Sequence, residues 1–292
     1  MDQPSRGAEP GDRAKPSRGA EPGDRAKPSR GAEPGDQGDP GTSPPPSWIA
    51  SRRPAVPAAV ALVDLHCHTS ASFDSLASPR AVVAAASRRG LTHLAITDHD
   101  RIEGALEARD AAPDGLTVLV GEEIRTRDGD LIAVFLSRAV PPGLSASETI
   151  AAVREQGGLV GIPHPFDRFR GSLSKGETLR NLEALAATVD WVESWNARLV
   201  VGDGNTRAAE LALAAGVPGV AVSDAHTTFE VGVAWTALHG DPSTPAGLRA
   251  ALATGPTFVT GRASVYVRLI TPVAKVVQRA RGRRRVRPTA IP

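Results

Sequence analysis

The sequence predicts an α/β protein, a distorted barrel of about seven β/α units. Three observations predict it. From Ala58 onward, short apolar runs alternate with segments of helical length. The junctions carry helix caps and turn residues at the right offsets. Histidines and carboxylates gather at the C-terminal ends of the apolar runs, the face where such barrels place their sites. A doubly wound open sheet is the alternative arrangement.

The elements follow in order. AVALVDLH, ending at His66, reads as a buried strand. Ser78 then caps a helix with Pro79 at its first position, and Gly90 closes it. THLAIT is the second strand, followed by a helix from about Ile102 to Ala111. LTVLVGEEI and DLIAVFL are the third and fourth strands. Ser145 or Ser147, with Glu148, opens a helix that stops at Gly157 and Gly158. LVGIPH is a strand, Leu179 to Ala187 a helix, DWVESW a strand and Thr206 to Ala215 a helix closed by Gly216. PGVAVSDAH is a further strand, and a helix over Pro245 to Ala253 precedes GPTFVTG. Strands joined by helices argue for a parallel sheet with right-handed crossovers.

The two ends differ from this core. Residues 1–54 form a Pro/Gly-rich tail in which PSRGAEPGDRAK starts at Pro4, recurs at Pro16 and begins again at Pro28. The repeat offers no apolar face to bury, so disorder is expected. Residues 55–273 form the domain, long enough for one sizeable core. Residues 274–292 form a basic tail with seven cations and no acid between Lys275 and Arg287. Those seven exceed the formal net charge of +2, so the rest of the chain is net acidic. The single cysteine, Cys67, excludes an intrachain disulfide and fits a cytoplasmic location. No apolar run is long enough to span a membrane, so no membrane partner is expected.

His66 and His68 end the first strand, Asp98 and His99 the second, Glu122 and Glu123 the third. His164 ends a later strand, and Asp224 and His226 the last. Residues two apart in a strand share a face, so His66 and His68 can chelate one ion, and Asp224 and His226 repeat the spacing. Cys67 must then point the other way, as a small buried hydrophobe. Imidazole and carboxylate donors suit Zn²⁺, Mn²⁺ or Fe²⁺. Taken singly, each has an ordinary explanation: a core imidazole, a turn residue between two prolines, a helix cap. Five coincidences at five strand ends outweigh those readings. His93, inside a strand without polar company, and His239, in a Gly-Asp-Pro turn, are read as structural.

DLHCHT, ITDHD, GEE, IPHPFDRF and SDAH, in this order from about Val63 to Ala263, resemble the motifs of the polymerase and histidinol phosphatase (PHP) family. The resemblance implies a distorted seven-unit barrel holding two or three divalent ions (Mn, Zn or Fe). It implies His66, His68, Asp74, His99, Glu123, His164, Asp224 and His226 as ligands. It differs at one place: many members carry a histidine on the strand after GEE, where this chain has an aliphatic residue near Ile132. One metal position is then poorly ligated or completed by water.

The expected chemistry is hydrolysis of a phosphate ester by metal-activated water, without a covalent intermediate. Asp64 and Asp98 are expected to orient ligating imidazoles. Arg168 and Asn196 are expected to face a small phosphorylated substrate. An exonuclease acting on DNA or RNA ends, reached through the basic tail, is the alternative within enzymes. A non-catalytic metal-binding module is the alternative outside them. A C–N amidohydrolase is disfavoured because no lysine stands at a predicted strand end.

Overall fold

Apolar runs in this chain are buried on both faces, and the sheet they build is accordingly covered inside and out. A computed structural model describes residues 60–167, 172–173, 181–264 and 270–285. All of them fall within one compact unit. The expected disorder of residues 1–54 lies outside the described residues, as do Arg168, Arg170 and most of the segment before Asn181.

The strands are β1 (Val60–Asp64), β2 (His93–Ile96), β3 (Thr117–Arg125), β4 (Asp130–Val134), β5 (Leu159–Ile162), β6 (Trp191–Asn196), β7 (Gly219–Val222), β8 (Trp235–His239) and β9 (Thr257–Val259). They form a single sheet in the order β7-β6-β5-β4-β3-β2-β1-β8-β9. The sheet curls into a nearly closed barrel. Just past β1, Cys67 forms a parallel bridge with Ala225, just past β7, and the His68 N–H donates to the Ala225 carbonyl at 2.8 Å.

The sheet is mixed where a parallel one was expected. β1, β2 and β3 run parallel, as do β5, β6 and β7, but β4 is antiparallel to both its neighbours. The reason is loop length. A parallel connection needs a crossover of a dozen residues or so, and only Thr126–Gly129 separates β3 from β4. Thr126 staples this turn, donating its hydroxyl to the Gly129 carbonyl and accepting from the Asp128 and Gly129 N–H groups. β8, which the sequence reading passed over, pairs antiparallel with β1 and β9.

Among the described residues, six helices pack around the sheet: α1 (Pro79–Arg88), α2 (Glu103–Asp110), α3 (Ala146–Glu155), α4 (Leu182–Ala186), α5 (Gly204–Ala215) and α6 (Pro245–Ala253). The cap chemistry appears as expected. Ser78 accepts from the Ala81 N–H, and Ser145 with Glu148 makes a reciprocal capping box. Gly216 closes α5 in the left-handed conformation.

Strand alternation divides the core in two. One cluster fills the barrel interior with Val63, Leu65, Leu119, Ile132, Val134, Leu159 and Trp191, and α6 adds Leu248, Ala251 and Leu252. The other joins the opposite strand faces to the outer helices through residues such as Val82, Ile96, Val120, Ile124 and Val153. On β3 this alternation separates two adjacent glutamates. Glu123 follows the interior face, opposite Ile132, while Glu122 turns outward and accepts from the Val140 N–H at 2.8 Å.

The segment expected to be a free basic tail is also ordered. Residues Ile270–Ala280 form α7, with Ala274 and Gln278 buried. No helix among the described residues is long and apolar enough to cross a membrane.

Two outcomes are expected. Gly161 pairs with Trp191 across the β5–β6 register, and a Cβ there would lie 2.1 Å from the indole. Gly161→Ala should therefore lower unfolding stability by about 1–3 kcal/mol, measured by urea denaturation. His93 is not without polar company: its Nδ1 lies 2.9 Å from Thr92 Oγ1 and its Nε2 3.0 Å from Ser243 Oγ. Burial lowers its pKa below 6.5, against the pull of Asp241. The unfolded chain then binds the proton more readily, so wild-type stability should fall as pH drops below about 6.5. His93→Gln should show a shallower loss over that range in thermal melts.

Candidate metal centre

The barrel end where β1, β2, β3, β5, β6 and β7 finish collects all eight residues expected as ligands. His66 and His68 share a face just beyond β1, as their spacing requires, and their Nε2 atoms lie 2.9 Å apart. Asp224 Oδ1 lies 3.7 Å from His66 Nε2 and 3.6 Å from His68 Nε2. A second group is built by His68, Asp74, His99 and His226. There Asp74 Oδ2 sits 3.4 Å from His99 Nε2 and 3.3 Å from His226 Nε2. In each group, the donor atoms lie within 4.8 Å of one another, and every member is buried.

Glu123 stands between the groups. Its Oε2 lies 3.4 Å from both His66 Nε2 and His68 Nε2 and 3.1 Å from His99 Nδ1. Its Oε1 lies 3.3 Å from His164 Nε2. His164 therefore meets the cluster through Glu123. His164 and Asp224 both adopt left-handed backbone, with φ of 28° and 52°. Such strain in non-glycine residues persists only where surrounding structure enforces it, and it concentrates at functional sites. Cys67 is fully buried in the outer core cluster, away from its histidine neighbours' face.

Several expectations need correction. Asp64 and Asp98 do not orient imidazoles. Asp64 accepts from the backbone N–H groups of His66, Ser223 and Gly232, and Asp98 accepts from the N–H and hydroxyl of Thr69. Asp64 ends β1 and Asp98 lies two residues past β2, and both are spent on fixing backbone around the strand ends. The imidazole partner is Glu193, in the middle of β6, which the sequence reading missed. It sits 2.6 Å from His66 Nδ1 and accepts from the His164 N–H at 2.9 Å. A glutamate inside a run of Trp and Val was the available signal. Asn196 is fully buried beneath the cluster, not facing substrate. Its amide donates at 2.9 Å to both Glu193 and Asp224, so it holds the acids in place.

The charges sort the cluster into protonation states. Burial lowers the His68 pKa well below its ordinary value, and the neighbouring imidazoles of His226, His99 and His66 add to it. Burial and Arg198 bring His226 down to about 4. Burial would raise Asp74, but His226 and His99 hold it well below the usual carboxylate range. Glu123 is depressed likewise by His99, His164 and His66 despite burial. His66 goes the other way, to about 10, because Glu193 and Glu123 outweigh its burial. The neighbours His66 and His68 thus shift in opposite directions. Burial is the first cause of the lowered His68, and a proton held on His66 between two carboxylates adds to it after His226 and His99. Ligation takes the neutral imidazole, so His68 and His226 are already in the state it requires, whereas His66 would release its proton on binding an ion.

A cavity of about 350 Å³ opens above the second group, where Asp74, His99, Glu123 and His226 line its floor. Phe73, Asp130, Arg198, Lys275 and Arg285 form much of the rest. Asp130 was missed for a topological reason. β4 runs antiparallel, so its first residue, not its last, lies at this end of the barrel. Ile132, two residues on, lies fully buried in the barrel interior and offers no donor atom.

Comparison with known proteins agrees with this geometry. The PHP domain matches residues 64–191, and the PHP-associated family matches residues 202–257. An uncharacterised protein of Methanocaldococcus jannaschii is 37% identical over 145 residues, which cover 46% of this chain and 81% of that protein. A 5'-3' exoribonuclease of Haemophilus influenzae is 32% identical over 130 residues, covering 40% of this chain and 47% of the relative. Among solved structures, a two-domain protein from Bacteroides vulgatus, described as containing a predicted PHP-like metal-dependent phosphoesterase, superposes with a TM-score of 0.58 at 19% identity. That match covers 69% of this chain and 65% of the other. A lesion-specific endonuclease from Pyrococcus furiosus superposes with a TM-score of 0.52 at 18% identity, over 68% of this chain and 57% of the other. The nearly closed barrel, the order of the histidine and carboxylate motifs and these matches place the chain in the PHP domain family.

Proposed function

We propose that this chain hydrolyses phosphate esters at a site holding two divalent metal ions. The observation that carries the reading is Glu123, a carboxylate with two oxygens set between two buried groups of imidazole and carboxylate donors. The donor set fits Mn²⁺, Zn²⁺ or Fe²⁺, since imidazole nitrogen and carboxylate oxygen suit these ions. Asp74, Glu123 and Asp224 bring three carboxylates into this buried space, and divalent ions would offset their charge.

His66, His68 and Asp224 would hold one ion, and Asp74, His99 and His226 with His68 or Glu123 the other. His164 steadies Glu123. Ile132 supplies nothing to a third position, so the reading is of two ions. Bound divalent ions lower the pKa of water towards about 7 and offset charge on phosphoryl oxygens. The chain's own residues do the rest. Glu193 fixes the His66 ring so that Nε2 faces the cluster. Asn196 keeps Glu193 and Asp224 from rotating. Arg198 lines the same cavity, and its guanidinium would be available to phosphate oxygens there.

A second reading, an exonuclease that trims RNA ends, is supported by the likeness to the H. influenzae exoribonuclease, which this chain matches over less than half of that protein's length. A screen of phosphomonoesters, phosphodiesters and short oligonucleotides, coupled to metal analysis, separates the two. Bound metal without turnover of any of them after Mn²⁺ supplementation would instead support a non-catalytic module.

The double variant His66→Ala/His68→Ala should lose bound metal and all turnover of p-nitrophenyl phosphate while keeping its circular dichroism spectrum. Full activity in that variant would sink the proposal. Glu193→Ala should weaken metal affinity by about 10–100-fold, because it frees the His66 ring rather than removing a donor. Competition against a fluorescent chelator measures this.

A further inference from the structure

The segment after Ile270, taken from the sequence as a tail, is tied to the site at four places. On α7, Ala274 and Gln278 lie one turn apart on the buried face. The Gln278 amide nitrogen sits 2.8, 3.0 and 2.6 Å from the carbonyl oxygens of Ser70, Ser72 and Ser75. Those carbonyls belong to the loop that presents Phe73 and Asp74. Arg283 donates to the Ser70 carbonyl as well. At the start of the helix, Thr271 accepts from Arg198 at 2.7 Å. At the end of the arm, Arg285 pairs with the buried Asp130.

These ties turn two cations over the cavity. Lys275 Nζ lies 5.4 Å, and Arg285 Cζ 5.8 Å, from the Phe73 ring centroid. The Phe73 ring in turn lies 4.8 Å from the imidazole of His99. Lys275 and Arg285 therefore line the same cavity as Asp74, Glu123 and His226.

We propose that the arm Ile270–Arg285 is the anion-binding wall of this site, with Lys275 and Arg285 holding the phosphate of a small, terminally phosphorylated substrate. The inference rests on the phosphoesterase reading for the nature of that anion. The physical argument is one of charge and size. Beyond the carboxylates that would hold the ions, Asp130 and Asp167 also line the cavity and repel phosphate, and Lys275 and Arg285 on the facing wall offset that repulsion. A volume of about 350 Å³ lies at the lower end of the range for small-molecule pockets, about 300–1,000 Å³. It suits a compound the size of a mononucleotide.

The test uses the full chain supplemented with Mn²⁺, titrated calorimetrically with inorganic phosphate and assayed on p-nitrophenyl phosphate. Lys275→Ala/Arg285→Gln should weaken phosphate binding and raise KM by about tenfold per cation removed. Bound metal should be unchanged and kcat should stay within about threefold. Adding Asp130→Asn leaves no buried carboxylate uncompensated, and this triple variant should behave alike even where the double variant folds poorly. Arg279→Ala, exposed on the same helix and off the cavity, should match the wild type. Unchanged phosphate affinity and KM in both variants, with metal bound and hydrolysis intact, would overturn the role of the arm and leave the phosphoesterase reading standing. Phosphate binding that is present in the wild type and lost in the variants, with no hydrolysis by either, would retain the arm's role and remove the reading. Tighter binding of a single-stranded oligonucleotide than of phosphate, indifferent to both variants, would also overturn the proposal.

Discussion

A buried carboxylate among imidazoles is the constraint on which the open end of this barrel depends. Taking an ionised glutamate out of water costs of order several kcal/mol unless partners surround it. Glu123 has four, from His66, His68, His99 and His164, contributed by different parts of the sheet. No local segment could supply them. The strand order and the near-closure of the sheet through Cys67 and Ala225 are what bring them within reach.

The supporting polar residues follow from the same constraint. Each imidazole must present a particular nitrogen, so its other side needs a partner. Glu193 fills that need for His66, and Asn196 locks Glu193 against Asp224. Asp64 and Asp98 serve the layer beneath, where they satisfy backbone N–H groups at the strand-end turns. Buried polar groups left unpaired each destabilise the fold, and here, among the described residues, Nδ1 of His68 and of His164 stay without a hydrogen-bond partner while the Nδ1 of His66 is satisfied by Glu193. The strained backbone at His164 and Asp224 is carried by this network, which over-determines their positions.

The arm after Ile270 extends the constraint outward. A floor rich in carboxylates calls for positive charge nearby, and Arg285 meets it by pairing with Asp130. A segment that reads as a solvated charge run is thereby converted into a wall. Its helix has a small buried face, Ala274 and Gln278, and one of these two residues is polar. Apolar periodicity alone therefore gave little warning that it docks.

Much was legible before any fold was drawn. Period-two spacing put His66 with His68 and Asp224 with His226, and it turned Cys67 away. Cap residues set the helix boundaries at Ser78, Ser145 and Gly216 because capping is a local hydrogen-bonding matter. The gathering of imidazole and carboxylate donors at strand ends was readable from residue type and position. What only tertiary structure decided were the long-range partners. β4 runs antiparallel because four residues are too few for a crossover, and that reversal carried Asp130 to the site and left Ile132 in the barrel interior. Glu193 lies 127 residues from the histidine it orients. Gln278 lies more than 200 residues from the loop it latches. Sequence spacing encodes which face a side chain takes on its own strand. Which distant side chain it meets is set by strand order and register, and those are properties of the closed sheet as a whole.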